Sequence, residues 1–221
     1  MQAQQSKRGR KPSLSREKII EKTLSLLNSS NPENFSVRKL AQELGVTPAA
    51  IYVYFSGQED LLRCAAEEVA SRVELDKLPS NTSWRETLKA WAYLVRANYR
   101  MFPHATMMLK MSQHIPTAWF RVIEPVWKTF ESLNYDEHKR IELTQSFIRG
   151  VAGLVLIEIQ HDDSINTKPS MSPAVFDVES GLARDIASLN FVPKIGSSNI
   201  ELLFEQSLNL LLDGIEFHVK K

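Results

Sequence analysis

Cysteine is almost absent: Cys64 is the only one among 221 residues. No disulfide can form within the chain, and such usage fits a reducing compartment. Glycine is scarce, at eight residues, and alternating β-branched runs are missing. Sheets are therefore not expected, and apolar residues recur instead at three- and four-residue spacing, the helical period. No apolar run approaches the roughly 20 residues that cross a bilayer. The longest, residues 151–159, is interrupted by Glu158. The polar, basic start is not followed by an apolar stretch, so no secretory signal is expected. The five histidines show no metal-ligand spacing, and His161-Asp162-Asp163 reads as a solvated loop. HExxH, a Gly-rich phosphate loop and a nucleophile–base signature are all missing. The expectation is a soluble, cytoplasmic protein that is not an enzyme, has no cofactor or metal, and does not enter a membrane.

What is present is a large apolar fraction, 43%, enough for a substantial core in one or two domains. Charge is unevenly placed. Residues 1–58 carry nine Lys/Arg and four Glu, and the remainder carries eighteen basic and twenty-two acidic residues. A basic head on an acidic body suits an N-terminal module that meets a polyanion.

The punctuation implies a helical chain. Residues 1–12 read as a flexible basic arm. Ser15 caps a first helix whose face is Ile19, Ile20, Thr23, Leu24 and Leu27, and Asn31-Pro32 ends it. Ser36 caps a short second helix with Val37, Leu40, Ala41 and Leu44, stopped by Gly45. Thr47 caps a third, with Pro48 at its first position, running to about Phe55. A fourth covers residues 59–76. Helices follow at 84–102, 105–111, 116–133 and 136–160, a loop at 161–176, a short helix at 178–189, a loop at 191–198, and a last helix at 199–219.

The informative block is 35–55, FSVRKLAQELGVTPAAIYVYF: two short helices around a tight Gly45-Val46 turn. Val37, Leu40, Leu44, Val46, Ile51 and Phe55 supply a core. The rest of the second helix is small or aromatic, as a helix entering a DNA groove requires. Small residues let its backbone approach base edges, and hydrogen-bonding tips hold phosphates. A helical hairpin that binds nothing is the plainer alternative.

Residues 16–62, REKIIEKTLSLLNSSNPENFSVRKLAQELGVTPAAIYVYFSGQEDLL, resemble the N-terminal domain of the tetracycline-repressor (TetR) family of bacterial regulators, the likeness covering about 13–73. Its marks are Ser36-Val37-Arg38, Leu40-Ala41, Gly45-Val46, Ile51-Tyr52, Tyr54-Phe55 and Leu61-Leu62. The resemblance implies an all-α protein, with a three-helix helix-turn-helix DNA-binding domain at 13–73 and a helical ligand-binding and dimerisation domain at 74–221. It implies a homodimer on a palindromic double-stranded DNA operator, acting as a repressor released by a small-molecule effector. It puts Arg38 and Lys39 near the DNA backbone and Thr47, Pro48, Ala49 and Ala50 near bases. Tyr52 then holds a phosphate, and Tyr54 lies along the groove. Gln58 stands where many members have Lys and brings a donor without a charge.

In the arm, Arg8-Gly9-Arg10 is the centre of the AT-hook pattern, in which arginines lie in a narrow A·T-rich minor groove. Lys11 departs from that pattern, and a basic tail giving only non-specific attraction is the alternative. In the last helix the apolar residues spread too widely for one buried side. Phe204, Ser207, Leu208, Leu211, Gly214 and Ile215 are therefore the expected dimer contacts. The middle helices offer Trp91, Phe102, Met107, Met111, Trp119, Trp127 and Phe147 as the lining of an effector cavity, or simply as core. Glu158, in an apolar helix, is expected at the helix end, reaching solvent; bordering a pocket or facing the dimer seam are the alternatives. Two other functions compete: an architectural DNA-binding protein without an effector, and a small-molecule-binding helical protein whose N-terminal helices no longer read DNA.

Overall fold

The computed structural model describes residues 14–28, 35–103, 117–166 and 199–219, without the side chains of 159–166, 218 and 219. It divides into two compact units: residues 1–73 with 101–120, here the head, and residues 74–100 with 121–221, here the body. Among the described residues every regular element is helical. None of these helices is long and apolar enough to cross a membrane.

In the head, α1 (Arg16–Leu27) starts where the Ser15 side chain accepts the Lys18 N–H at 3.3 Å, filling one of the free donors of a helix start. Ile19, Leu24 and Leu27 are buried along one face. Thr23 is buried too, its hydroxyl donating to the Ile19 carbonyl at 2.8 Å. The helix closes at Asn28, before the expected Asn31-Pro32, which lies outside the described residues. α2 (Val37–Leu44) has the same logic: Ser36 accepts from Lys39 N–H at 3.2 Å, and Gly45 ends the helix at φ +66°. That left-handed geometry is where a residue with a Cβ is strained and glycine is not.

α3 (Pro48–Tyr52) is shorter than expected. Tyr54 N–H turns back to Ile51 at 2.9 Å, and Phe55 N–H reaches the same carbonyl at 3.2 Å. Burial of Phe55 pulls the chain inward there. α4 (Gln58–Ser71) also stops early. Arg72 and Val73 bond three residues back, to Val69 and Ala70, and a short 3₁₀ turn at Leu75–Lys77 replaces the expected last turn. Ile19, Leu24, Leu40, Ile51, Phe55, Leu61 and Val69 close one core under these four helices.

The body contains α5 (Trp84–Met101), α6 (Thr117–Glu131), α7 (Glu137–Asn166) and α8 (Ile200–Val219), with the first turn of α6 counted in the head. Its core is a set of four-residue stripes: Leu88, Trp91, Ala92 and Val95; Val122, Val126 and Phe130; Leu143, Phe147, Val151 and Val155; Phe204, Leu208, Leu212 and Ile215. Trp91 donates its indole N–H to the Val122 carbonyl at 2.6 Å and packs against Phe147 at 5.7 Å between ring centres. Tyr93 meets Phe204 edge to face at 5.4 Å.

Residues 161–166 continue α7 rather than forming a loop. No Gly or Pro interrupts the chain until Pro169. Glu158 consequently sits within a helix and not at its end. It is only 7% exposed, and it does not reach solvent. Its carboxylate takes Arg96 in a two-point pair, Nε at 2.7 Å and Nη2 at 3.1 Å, and a third bond from Arg100. Arg96 also reaches Glu201 at 2.6 Å and lies over the Phe204 ring. A charge that must be buried is thus fully paired. The expectations for 105–111, 178–189 and 191–198 lie outside the described residues.

Candidate nucleic-acid interface

α2 and α3 place the expected reading residues on one exposed surface. Arg38, Thr47, Pro48, Ala49 and Gln58 are exposed, Lys39 and Ala50 half-exposed, and Tyr52 is 51% exposed. Thr47 is committed locally: its hydroxyl accepts the Ala50 N–H at 3.3 Å as the cap of α3. Burial of Ile51 and Phe55 on the opposite side fixes which residues point out. Val53, 81% exposed beside Tyr52, belongs to the same surface. Sequence reasoning missed it because a Val in that helix reads as core.

Tyr54 is placed differently from the expectation. Its ring packs against the head core, and its hydroxyl donates to the Leu14 carbonyl at 2.8 Å. Tyr54 lies in the turn beyond the end of α3, half-buried where Tyr52 is exposed. Arg16 completes the clamp: Nη1 donates to the Tyr54 carbonyl at 3.0 Å, Nη2 lies 2.8 Å from Cys64 Sγ, and the guanidinium covers the Phe55 ring at 4.6 Å. Burial pushes the Cys64 thiol up from its ordinary pKa, the Arg16 guanidinium opposing. At the turn after α3, Asp60 accepts the Ser56 N–H at 2.9 Å and Arg63 at 2.7 Å. Both hold its carboxyl below the usual carboxylate range, the Ser56 bond most strongly. Arg8 and Arg10 lie outside the described residues.

The expected effector-site residues divide between the two units. Trp91 and Phe147 are core, filled against each other. Trp127 is half-buried under the Arg140 guanidinium at 4.4 Å, also in the body. Phe102 and Trp119 belong to the head, Phe102 beneath the Arg72 guanidinium at 5.2 Å. Met107 and Met111 are outside the described residues. A further residue absent from the sequence reading is Glu67, whose carboxylate accepts the Thr117 and Ala118 N–H groups at the start of α6, at 2.5 and 2.7 Å. That carboxylate completes a helix N-terminus from 50 residues away, which no local pattern reports.

The expected dimer residues divide into two sets. Phe204, Leu208 and Ile215 are buried within the chain itself, on a helix that packs against α7, and Phe204 also meets Tyr93 of α5. Ser207 and Leu211 are half-exposed and Gly214 exposed. The outward apolar residues include Leu202, Leu203, Leu210 and Phe217 on α8 and Ile141 and Ile157 on α7, with Leu210 at 72% exposure. A shallow groove of about 430 Å³ runs between the two helices, lined by Gly150, Gly153, Ile157, Ser207, Leu210 and Leu211.

Two family profiles match. The one described as bacterial regulatory proteins, tetR family, covers residues 19–65, and the tetracyclin repressor-like C-terminal domain covers residues 78–219. The chain is 29% identical over 109 residues to the HTH-type transcriptional repressor DrrR1 of Streptomyces coeruleorubidus, across 49% of this chain and 39% of that protein. It is 34% identical over 77 residues to the class D tetracycline repressor protein of Escherichia coli, across 34% of this chain and 35% of that one. The chain thus spans little more than a third of the length of either repressor. In fold it is similar to a possible TetR family transcriptional regulator from Streptomyces coelicolor A3(2), with a TM-score of 0.74 at 20% identity over 91% of this chain and 98% of that one.

Proposed function

The chain belongs to the bacterial tetR family of regulatory proteins, and from that premise we propose that it is a sequence-specific, DNA-binding transcriptional repressor. It acts as a homodimer on a palindromic operator and is released by a small molecule bound in the body. The DNA-reading domain is residues 13–73, and residues 74–221 carry effector binding and dimerisation. The protein works in the cytoplasm, without cofactor or catalytic step.

One observation carries the reading: α3 presents Thr47, Pro48, Ala49 and Tyr52 outward while Ile51 and Phe55 anchor its other side. Small residues at the helix start allow close approach to base edges, and Tyr52, with exposed Arg38 at the start of α2, supplies backbone contacts. The relatives named as repressors support the same role. The outward apolar strip on α7 and α8 supports pairing through that face, because single surface leucines are ordinary but a contiguous strip is not.

Selection of binding duplexes from a random pool by the full chain tests the reading. The expected product is a palindrome whose half-site centres lie about 34 Å apart. Recovery of no shared sequence, with binding that depends only on salt, overturns it.

A further inference from the structure

α3 holds no side chain able to make a two-point contact with a base. From Thr47 to Phe55 the chain has no Asn, Gln, Arg, Lys, Asp or Glu, the residue types that pair with the polar base edges of the major groove. Thr47 has one hydroxyl, and its oxygen already accepts the Ala50 N–H at 3.3 Å. Tyr52 ends in a single hydroxyl. What the helix turns outward is otherwise hydrocarbon: Pro48, Ala49 and Val53 are exposed, and Ala50 is half-exposed. One group on the major-groove edges answers hydrocarbon, the C5-methyl of thymine.

At 81%, Val53 is the most exposed of the large apolar side chains among the described residues. A lone surface valine is ordinary, but the placement of this one is not. It closes α3 in right-handed helical geometry, at φ −66° and ψ −29°, so helical angles still apply to it. At about 100° per residue it lies about 40° from Ala49 and about 160° from Ile51. Ile51 is buried, whereas Ala49, Tyr52 and Val53 are all exposed, on the side turned away from the head core. Branching at Cβ restricts χ1, so the two valine methyls are presented at fixed positions. Water covers them in the free protein, and contact with an apolar group releases that water.

The geometry points to a specificity-determining residue that rests on the proposed function: Val53, with Ala49 one turn before it, packs on the C5-methyl of a thymine in each half-site. Base choice at that position then depends on hydrocarbon contact rather than on hydrogen bonds. Cytosine, adenine and guanine lack the methyl, while 5-methylcytosine carries it at the same place on the major-groove edge. A methyl group buried against the valine is worth a factor of about four in affinity. With the contact made in both half-sites the factor is about sixteen.

The experiment starts from a duplex selected from a random pool by the full chain. Its thymines are replaced by deoxyuridine, which differs only in lacking the methyl, one symmetric pair of positions at a time. At one pair the full chain binds about sixteenfold more weakly. V53A keeps the parent melting temperature, since the side chain is exposed. It binds the selected duplex more weakly and loses most of the response to deoxyuridine at that pair. With cytosine placed there, adding the 5-methyl group tightens binding by the full chain and not by V53A. A selected half-site without thymine, or deoxyuridine tolerated by the full chain at every pair, overturns the proposal. So does a response to deoxyuridine that V53A retains in full, which assigns the methyl to another residue. In each of those cases a shared sequence is still selected and the proposed function stands. A full chain that selects no shared sequence overturns the proposed function, and the role of Val53 with it.

Discussion

Individual residues in this chain are decided by a few strong local requirements. Gly45, at φ +66°, has nothing within 4 Å of where a Cβ would stand. Gly45→Ala therefore costs only backbone strain, about 1–2 kcal/mol, and thermal unfolding of the head followed by circular dichroism shows it as a lowered midpoint. Asp60 is held below its usual range by Ser56 N–H and Arg63. A carboxyl with a depressed folded pKa contributes stability above its unfolded pKa and loses it as pH falls through the folded value. D60N is therefore less stable than the parent at neutral pH, and the difference closes in acid. A D60N chain whose deficit persists at low pH refutes that account. Glu158 is a third case: E158A leaves Arg96, 3% exposed, with only Glu201 to pair it. The expected loss is about 3 kcal/mol in denaturant unfolding, the lower end for a broken buried pair. The acid itself stands out in the sequence as one carboxylate in an apolar helix. Its partners do not, because Arg96 and Arg100 lie some 60 residues earlier and nothing local marks them.

At the scale of elements, helix starts were legible and helix ends less so. Ser15, Ser36 and Thr47 each cap the helix expected of them, since a cap is a contact over three residues. The ends of α3 and α4 depend instead on where Phe55 and Val73 bury, which is a tertiary matter. The same cause turns the half-buried Tyr54 against the head core, where its hydroxyl holds the Leu14 carbonyl. Close packing of α7 on α8 is likewise invisible in either helix alone. A Cβ on Gly150 would lie 2.9 Å from Leu211 Cδ1, the end of a flexible side chain. Gly150→Ala should destabilise the body by about 1 kcal/mol, the low end for overpacking. Adding Leu211→Ala should make the substitution at 150 nearly neutral in a double-mutant cycle measured by thermal unfolding. Additive losses would show that the two side chains do not share that space.

For the molecule as a whole, the all-α class followed from composition and period, but the grouping of residues did not. The segment 101–120 joins the head, tied there by Glu67 on the α6 start and by Asn28 Nδ2 on the Met101 carbonyl. Phe102 and Trp119 fall within that grouping, and Trp91 within the body. The outward strip of Leu210, Ile157 and Leu203 gives a prediction at this scale. Leu210→Glu should convert the protein to a monomer in sedimentation equilibrium while leaving its helix content unchanged, and operator binding should fall at least tenfold as the two half-sites lose their linkage. A dimer that survives this charge places the seam elsewhere. Trp91 offers a different kind of consequence. Its ring is sealed from water, bonded to the Val122 carbonyl and stacked near Phe147, so its emission should lie to the blue of the three half-exposed tryptophans, Trp84, Trp119 and Trp127. A red shift on adding a candidate metabolite would announce that the body has opened, without any label on the chain.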